Sequence, residues 1–410
     1  MADRSSAALA SDTHRLLAPS HTRLALCDPS LIEDQVAIAQ IAAPTGNESE
    51  RGAWIARRFA SLGLSDVVTD GAGNVVGRRA GTRSLSPIAI CAHLDTVFPP
   101  GTDLSVRRDG PRLVGPGITD NGRGLAVILA LAAELDGRRI TTSRSIDFVA
   151  TTGEEGAGNL RGAKHYFATR GADAYAAIVI DGAGDERIVH RALGSRRFRV
   201  TFDGPGGHSW SAFGAPNAVH AAATATTAIT SIALPADPRT TLTVARIGGG
   251  LSVNSIPGHA WLEIDLRSSS ATILDSIARR VLSAVHEATV AENGRRAADT
   301  SELRSRVETI GDRPCGGTAE DHPLVQAAMH VTRLIGRSPE LTMASTDANV
   351  PIAMGIPAVA IGAGGRGGDA HTTTEWYDNT AGPLGVARAL TIVVTAACPE
   401  ASSRAQRGER

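Results

Sequence analysis

Lysine is nearly missing from this chain: Lys164 stands alone, and the positive charge is carried by arginines scattered along the sequence. A genome-wide codon bias accounts for that as well as function does. Net charge is missing too, because 41 basic side chains meet 42 acidic ones and leave a formal charge of −1. No overall field draws in a polyanion or an anionic lipid surface, which removes nucleic acid and membranes from the expected partners. The four cysteines, Cys27, Cys91, Cys315 and Cys398, are far apart, with neither a CxxC pair nor a dense framework, and read as thiols of a reduced compartment. No apolar run approaches the length of a bilayer span, and the Ser/Ala-rich start lacks the continuous apolar segment of a secretion signal. These absences point to a soluble, cytoplasmic protein. Internal repeats are absent as well, and no glycine loop leads into the Lys-Ser/Thr of a phosphate cradle.

What is present is length and alternation. At 410 residues and 42% apolar, the chain exceeds what one core holds, roughly 250 to 300 residues, so two domains are expected. Residues 1–28 read as a flexible leader, with room for a helix at its end, and 401–410 as a flexible tail. From Pro29 short Ile/Val-rich runs alternate with Ala/Leu-rich helical stretches, with strands at 87–92, 146–151 and 176–180 and a helix at 125–135. After Gly194 the pattern changes to strand 196–202, helix 217–231, strands 240–246 and 260–267, helix 272–292 and strand 303–309. Beyond Gly316 the first pattern returns, with helix 323–335, strand 357–361, a glycine-rich turn at 362–368 and helix 384–397. The expected architecture is a discontinuous α/β domain, residues 29–194 and 316–400, whose mixed sheet is flanked by helices. A ferredoxin-like α+β module at 195–315 is inserted into it.

Several expected strands end where an acidic or imidazole side chain begins. His93 and Asp95 are two apart, which in extended chain puts both on one side, so an imidazole can ligate a metal while the carboxylate fixes its tautomer. Asp120 follows the glycine turn Gly115-Pro-Gly, where it can cap a helix or bridge two ions roughly 3.5 to 4 Å apart. Glu154 and Glu155 are adjacent acids whose repulsion a cation relieves. Adjacent side chains point apart, so one can ligate while the other takes a proton from water. Asp181 after Ile180, and His371 in a loop, complete the set. Taken singly, each has an ordinary reading as a cap, a turn or a solvated side chain. Taken together they converge on the edge of an α/β sheet where ligands sit. Two divalent ions bring four positive charges against three from Asp120, Glu155 and Asp181, and a bridging hydroxide supplies the fourth. Mixed imidazole and carboxylate ligands suit zinc, with cobalt and manganese also compatible.

The run His93-x-Asp95, Gly117-x-x-Asp120-Asn121, Glu154-Glu155-Gly156, Asp181-Gly182 and His371 resembles the aminoacylase and carboxypeptidase family of dinuclear zinc exopeptidases. Dipeptidases, peptidase T-like tripeptidases and succinyl-diaminopimelate desuccinylases belong to that family. The resemblance covers nearly everything from Pro29 onward. It implies that His93 and Asp181 hold one zinc, Glu155 and His371 the other, and that Asp120 bridges them. It further implies Glu154 as general base, Asp95 orienting His93, and the inserted module as a lid and dimerisation domain. Gly206-Gly207-His208-Ser209 resembles the motif whose histidine reaches the partner subunit's site in a homodimer and stabilises the oxyanion. Asn254 and Arg267 resemble positions that contact the substrate carboxylate or the oxyanion, although Arg267 reads equally as a strand residue paired with a nearby acid. The loop Ser345-Thr-Asp347-Ala-Asn349 and the glycines Gly362, Gly364, Gly365, Gly367 and Gly368 resemble active-site loops of the family.

The expected activity is hydrolysis of an amide bond in a di- or tripeptide, by a metal-bridging hydroxide with Glu154 as base. The resemblance tilts this toward a peptidase, since family members with an aspartate where Asp181 stands are more commonly peptidases and deacylase-like members tend to have a glutamate there. Two alternatives stand beside it: a deacylase or amidohydrolase acting on N-acyl amino acids, and a non-catalytic peptide- or metal-binding protein on the same scaffold.

Overall fold

The computed structural model describes residues 6–137 and 140–398; the expected tail at 401–410 lies outside them. Ile88–His93, Ile146–Thr151 and Ala176–Ile180 are strands buried at every position, which requires a sheet covered on both faces. Ile88–His93 lies between the other two and is parallel to both, and Ala358–Ile361 adds to Ala176–Ile180 in parallel. Val75–Arg79 and Ser65–Thr69 extend one side antiparallel, and Arg187–Ala192 extends the other. Nine of the described strands make this mixed sheet.

Side chains along a strand alternate between faces, and here they alternate between two cores. Ile88, Ile90 and Ala92 pack with helices Gly122–Gly137 and Gly382–Ala397. Ala89 and Cys91 meet Ala163, Tyr166 and Phe167 of helix Arg161–Ala168 on the opposite face. The four parallel strands all run toward one edge, which is where His93, Thr151, Ile180 and Ile361 end them.

The described residues divide into two compact units, one from the chain up to Ala192 together with the chain from Gly317, the other Leu193–Gly316. In the second unit, strands Gly194–Asp203, Thr241–Gly249, His259–Ser268 and Arg304–Arg313 form an antiparallel sheet. Its order is Thr241–Gly249, His259–Ser268, Gly194–Asp203, Arg304–Arg313. Helices Ala218–Thr230 and Ala271–Asn293 cover one face over Ala260, Leu262, Ile264 and Leu266. Strand, helix, two strands, helix and strand in this order are the split βαβ arrangement of ferredoxin-like modules. Both helices start on a side-chain cap, Asn217 accepting from the amides of Val219 and His220, and Ser270 from that of Ile273.

The flexible leader expected at 1–28, which the structure describes from residue 6 on, is corrected there to helix. Ser6–Leu16 and Ala18–Leu26 are helices, and Ala10, Leu17 and Leu24 lie buried in the core of the larger sheet. These residues recur every seventh position and, with Thr13 and Ser20 between them, form one buried stripe, while Leu16 and Leu26 are exposed. Ser11 Oγ lies 2.7 Å from His330 Nε2, and His21 Nε2 lies 3.0 Å from Thr391 Oγ1. Among the described residues no helix is long and apolar enough to cross a membrane.

Leu17 is 2% exposed, so Leu17→Ala is expected to destabilise the larger unit by about 2–5 kcal/mol in denaturant unfolding. An unchanged unfolding midpoint would mean that these helices are only loosely attached.

Candidate metal centre

The edge where the parallel strands end gathers side chains from five segments. His93 is the last residue of its strand and 2% exposed. Glu154 and Glu155 follow Ile146–Thr151 through a turn at Gly153, whose φ of +65° favours glycine. Asp181 follows Ala176–Ile180, and its amide donates to the carbonyl of Ile361 at 3.0 Å. Asp120 precedes helix Gly122–Gly137. His371 sits in a loop with φ +67°, a left-handed backbone that is uncommon for a non-glycine residue and recurs at functional sites.

The geometry around Asp120 is two-sided. One carboxylate oxygen lies 2.9 Å from His93 Nε2 and the other 3.2 Å from His371 Nε2. His93 Nε2 is 3.8 Å from Asp181 Oδ1, and His371 Nε2 is 3.0 Å from Glu155 Oε1. Three groups of donor atoms therefore lie within 4.8 Å of one another: His93 with Asp120 and Asp181, Asp120 with Glu155 and His371, and His93 with Glu154 and Glu155. The first two share Asp120.

Asp95 is placed differently from what its spacing predicts. His93 Nδ1 lies 3.0 Å from the main-chain carbonyl of Asp95, while the Asp95 carboxylate stands 3.7 Å away. That carboxylate, wholly buried, accepts from the amides of Glu154 and Glu155 and from Thr45 Oγ1, each at 2.9 Å. Charge-assisted bonds from amides satisfy a buried carboxylate better than a ring already bound to a carbonyl. Asp95 thus carries the Glu154-Glu155 turn with its side chain and orients His93 with its backbone.

Electrostatics follow from the crowding of acids. Burial opposes a charge on His93, but its hydrogen bond to Asp120 and the charges of Asp120, Asp181 and Asp95 outweigh that and lift it well above the ordinary histidine range. The hydrogen bond to Asp120 is the largest influence that pushes His371 up to about 9. Burial works to raise Asp120, yet the two imidazoles hold it below the usual carboxylate range. Burial, then the charge of Asp120, raises Glu155. Asp347, wholly buried in the loop 345–349, is pushed up to about 6 by burial, against a hydrogen bond from Thr151. Protons are drawn to the place where cations are wanted. Two imidazoles and several carboxylates, with one aspartate shared between two groups, fit a pair of divalent ions.

Two further buried groups stand at this edge, Asn121 of the motif after Asp120 and Glu375, which no motif marked. Asn121 is clamped between the Ile180 carbonyl and the Gly124 amide. Glu375 accepts from the amides of Gly117, Thr119 and Asp120. His208, Asn254 and Arg267 belong to the second unit. There His208, at the end of the short strand Gly207–His208 that pairs with Ser255–Ile256, and Asn254 are both exposed, and the Ser209 amide donates to the Asn254 carbonyl at 2.9 Å. Arg267 Nε donates to Asp265 Oδ2 at 2.7 Å.

Comparison with known proteins agrees with this architecture. The model of peptidase family M20/M25/M40 matches residues 89–394. The chain belongs to this family of metal-dependent peptidases and amidohydrolases. The YqjE protein of Bacillus subtilis is 26% identical over 364 residues, which cover 84% of this chain and 92% of that protein. Aminopeptidase PepT of Bacillus cereus shares the fold with a TM-score of 0.71 at 24% identity, covering 90% of this chain and 98% of that one. A tripeptidase of Staphylococcus aureus does so with a TM-score of 0.73 at 23% identity, again covering 90% and 98%.

Because ligation needs a neutral imidazole, ion uptake by metal-free protein must expel the proton that His371 holds below about pH 9. Zinc affinity is expected to rise with pH up to that value, with roughly one or more protons released per protein at neutral pH. Calorimetry in buffers of different ionisation enthalpy measures the release. An affinity independent of pH across the neutral range would contradict the ligand role of His371.

Proposed function

We propose that the protein is an exopeptidase for small peptides, a di- or tripeptidase, working with two divalent ions, zinc as the expected metal. The supporting observation is the sharing of Asp120 between the group of His93 and Asp181 and the group of Glu155 and His371, with Glu154 beside them. In this reading His93 and Asp181 hold one ion, Glu155 and His371 the other, and Asp120 both. Bound ions of this kind polarise an amide carbonyl and acidify water.

In this reading Glu154 is the general base. It is 6% exposed, and its backbone is tied to the Asp95 carboxylate, so its carboxylate is directed rather than free to swing. It takes the proton of the attacking water and returns it to the leaving nitrogen. The same reading gives His208 the oxyanion, supplied by the partner in a homodimer, and gives Asn254 and Arg267 the substrate's carboxylate, which an arginine fork matches in two bonds. The aspartate at position 181 supports peptides over N-acyl amino acids, since the family resemblance associates it more often with peptidases; the fold is shared with peptidases and amidases alike and does not separate the two.

Glu154→Gln is expected to lower turnover roughly 10²- to 10⁴-fold with metal content unchanged; turnover near wild type would remove Glu154 as base. Rates on di- and tripeptides should exceed those on N-acetyl and N-succinyl amino acids, and the reverse order would make the protein a deacylase. Mixing Glu154→Gln with His208→Ala protein should restore activity through subunit exchange. No recovery from exchanged dimers would argue against a trans role for His208.

A further inference from the structure

Glu375 is a wholly buried carboxylate, an expensive group to hide unless its oxygens are satisfied. It accepts three backbone amides, from Gly117 at 3.1 Å, Thr119 at 2.7 Å and Asp120 at 2.8 Å. All three belong to the turn that presents Asp120. Gly117 has φ +66°, and a Cβ there would come within 2.8 Å of Thr96 Cγ2. The turn thus takes the left-handed step that lets successive amides converge on one anion, a backbone nest. Here the anion is a side chain of the protein itself.

The other end of Glu375 is as telling. It stands four residues after His371, in the loop closed by the Thr372 amide on the Asp369 carbonyl and the Glu375 amide on the Thr372 carbonyl. Its own carbonyl accepts from the Gly115 amide at 2.8 Å. Next to it Thr119 Oγ1 donates to the Trp376 carbonyl at 3.0 Å, and Trp376–Asp378 pairs antiparallel with Arg112–Val114. One side chain therefore ties the segment carrying His371 to the segment carrying Asp120, two of the three members of one donor group.

We infer that Glu375 is a positioning residue that presets the spacing of Asp120 and His371, so that the donor set exists before any ion arrives. The inference rests on the metal reading of the site. Asp120 then presents one oxygen toward each imidazole because its own amide and that of Thr119 are fixed to one oxygen of Glu375. The His371 backbone keeps its left-handed conformation because the loop beyond it is anchored. With glutamine at position 375 one oxygen still serves Thr119 and Asp120, but an amide nitrogen opposes the Gly117 amide and the charge is gone.

The test is a titration of metal-free full-length protein with zinc by calorimetry and with cobalt by visible absorption, wild type against Glu375→Gln. Both forms are checked for an intact cooperative unfolding transition. The expected result is two ions bound by wild type, and in Glu375→Gln roughly 10- to 100-fold weaker binding of at least one, the usual effect of losing an outer partner of a ligand. A changed cobalt spectrum should accompany it. Zinc affinities and a cobalt spectrum equal to wild type would overturn the inference while leaving the metal reading intact. Failure of wild type to bind ions would instead sink the metal reading. Should Glu375→Gln not fold, hydrogen exchange in metal-free wild type decides: the amides of Gly117, Thr119 and Asp120 must be protected without metal, and protection arising only on zinc addition would overturn the preset role.

Discussion

Repulsion among acids at one sheet edge governs the rest of this structure. Asp95, Asp120, Glu154, Glu155, Asp181, Asp347 and Glu375 all lie at or behind the ends of the parallel strands, and five of them are buried. Uncompensated, such a cluster would take up protons or open to water. The arrangement answers in two layers. At the inner layer Asp95 and Glu375 are neutralised by backbone amides. At the outer layer Asp120, Glu155 and Asp181 face the imidazoles of His93 and His371, with donor atoms close enough together to hold metal ions.

The fold makes this concentration of charge affordable by separating it from the apolar mass. Strands of parallel sheet are buried on both faces and expose polarity only at their ends. Ile88, Ile90 and Ala92 belong to one core and Ala89 and Cys91 to another, so His93 emerges from a strand held on both sides. Glu154, Glu155 and Asp181 emerge from its neighbours in the same way. Rigid strands set the directions, and the buried carboxylates set the turns between them. A site built so needs little reorganisation when ions bind.

The second unit obeys simpler rules. Its strands alternate buried and half-buried positions, as in His259–Ser268, and period-2 alternation alone assigns one face to the helices and the other outward. Its secondary structure was accordingly legible from 196 to 309 within a few residues at each end. The larger unit was legible where strands are mostly apolar and wholly buried, at 146–151 and 176–180. It was illegible at Ser65–Thr69 and Val75–Arg79, whose polar residues suit an edge strand as well as a loop. The packing of the helices before Cys27 escaped because their buried stripe, Ala10, Thr13, Leu17, Ser20 and Leu24, mixes small and polar residues with leucine while Leu16 and Leu26 are exposed. That becomes meaningful only against the helices Pro323–Leu334 and Gly382–Ala397 that receive it.

The amino-acid order by itself determined which side chains are candidates for the proposed chemistry. His93, Asp120, Glu154, Glu155, Asp181 and His371 each stand at a strand end or turn that local pattern reveals, and adjacent acids after an apolar run advertise a cation. Only the tertiary structure decided who holds them. Asp95 turned from its neighbour His93 to the Glu154-Glu155 amides, and Glu375 found the Asp120 turn from far along the chain. Ligand identity is a matter of residue type, which sequence displays. Hydrogen-bond partnership is a matter of which amides burial leaves unpaired, and only the folded chain brings those within reach.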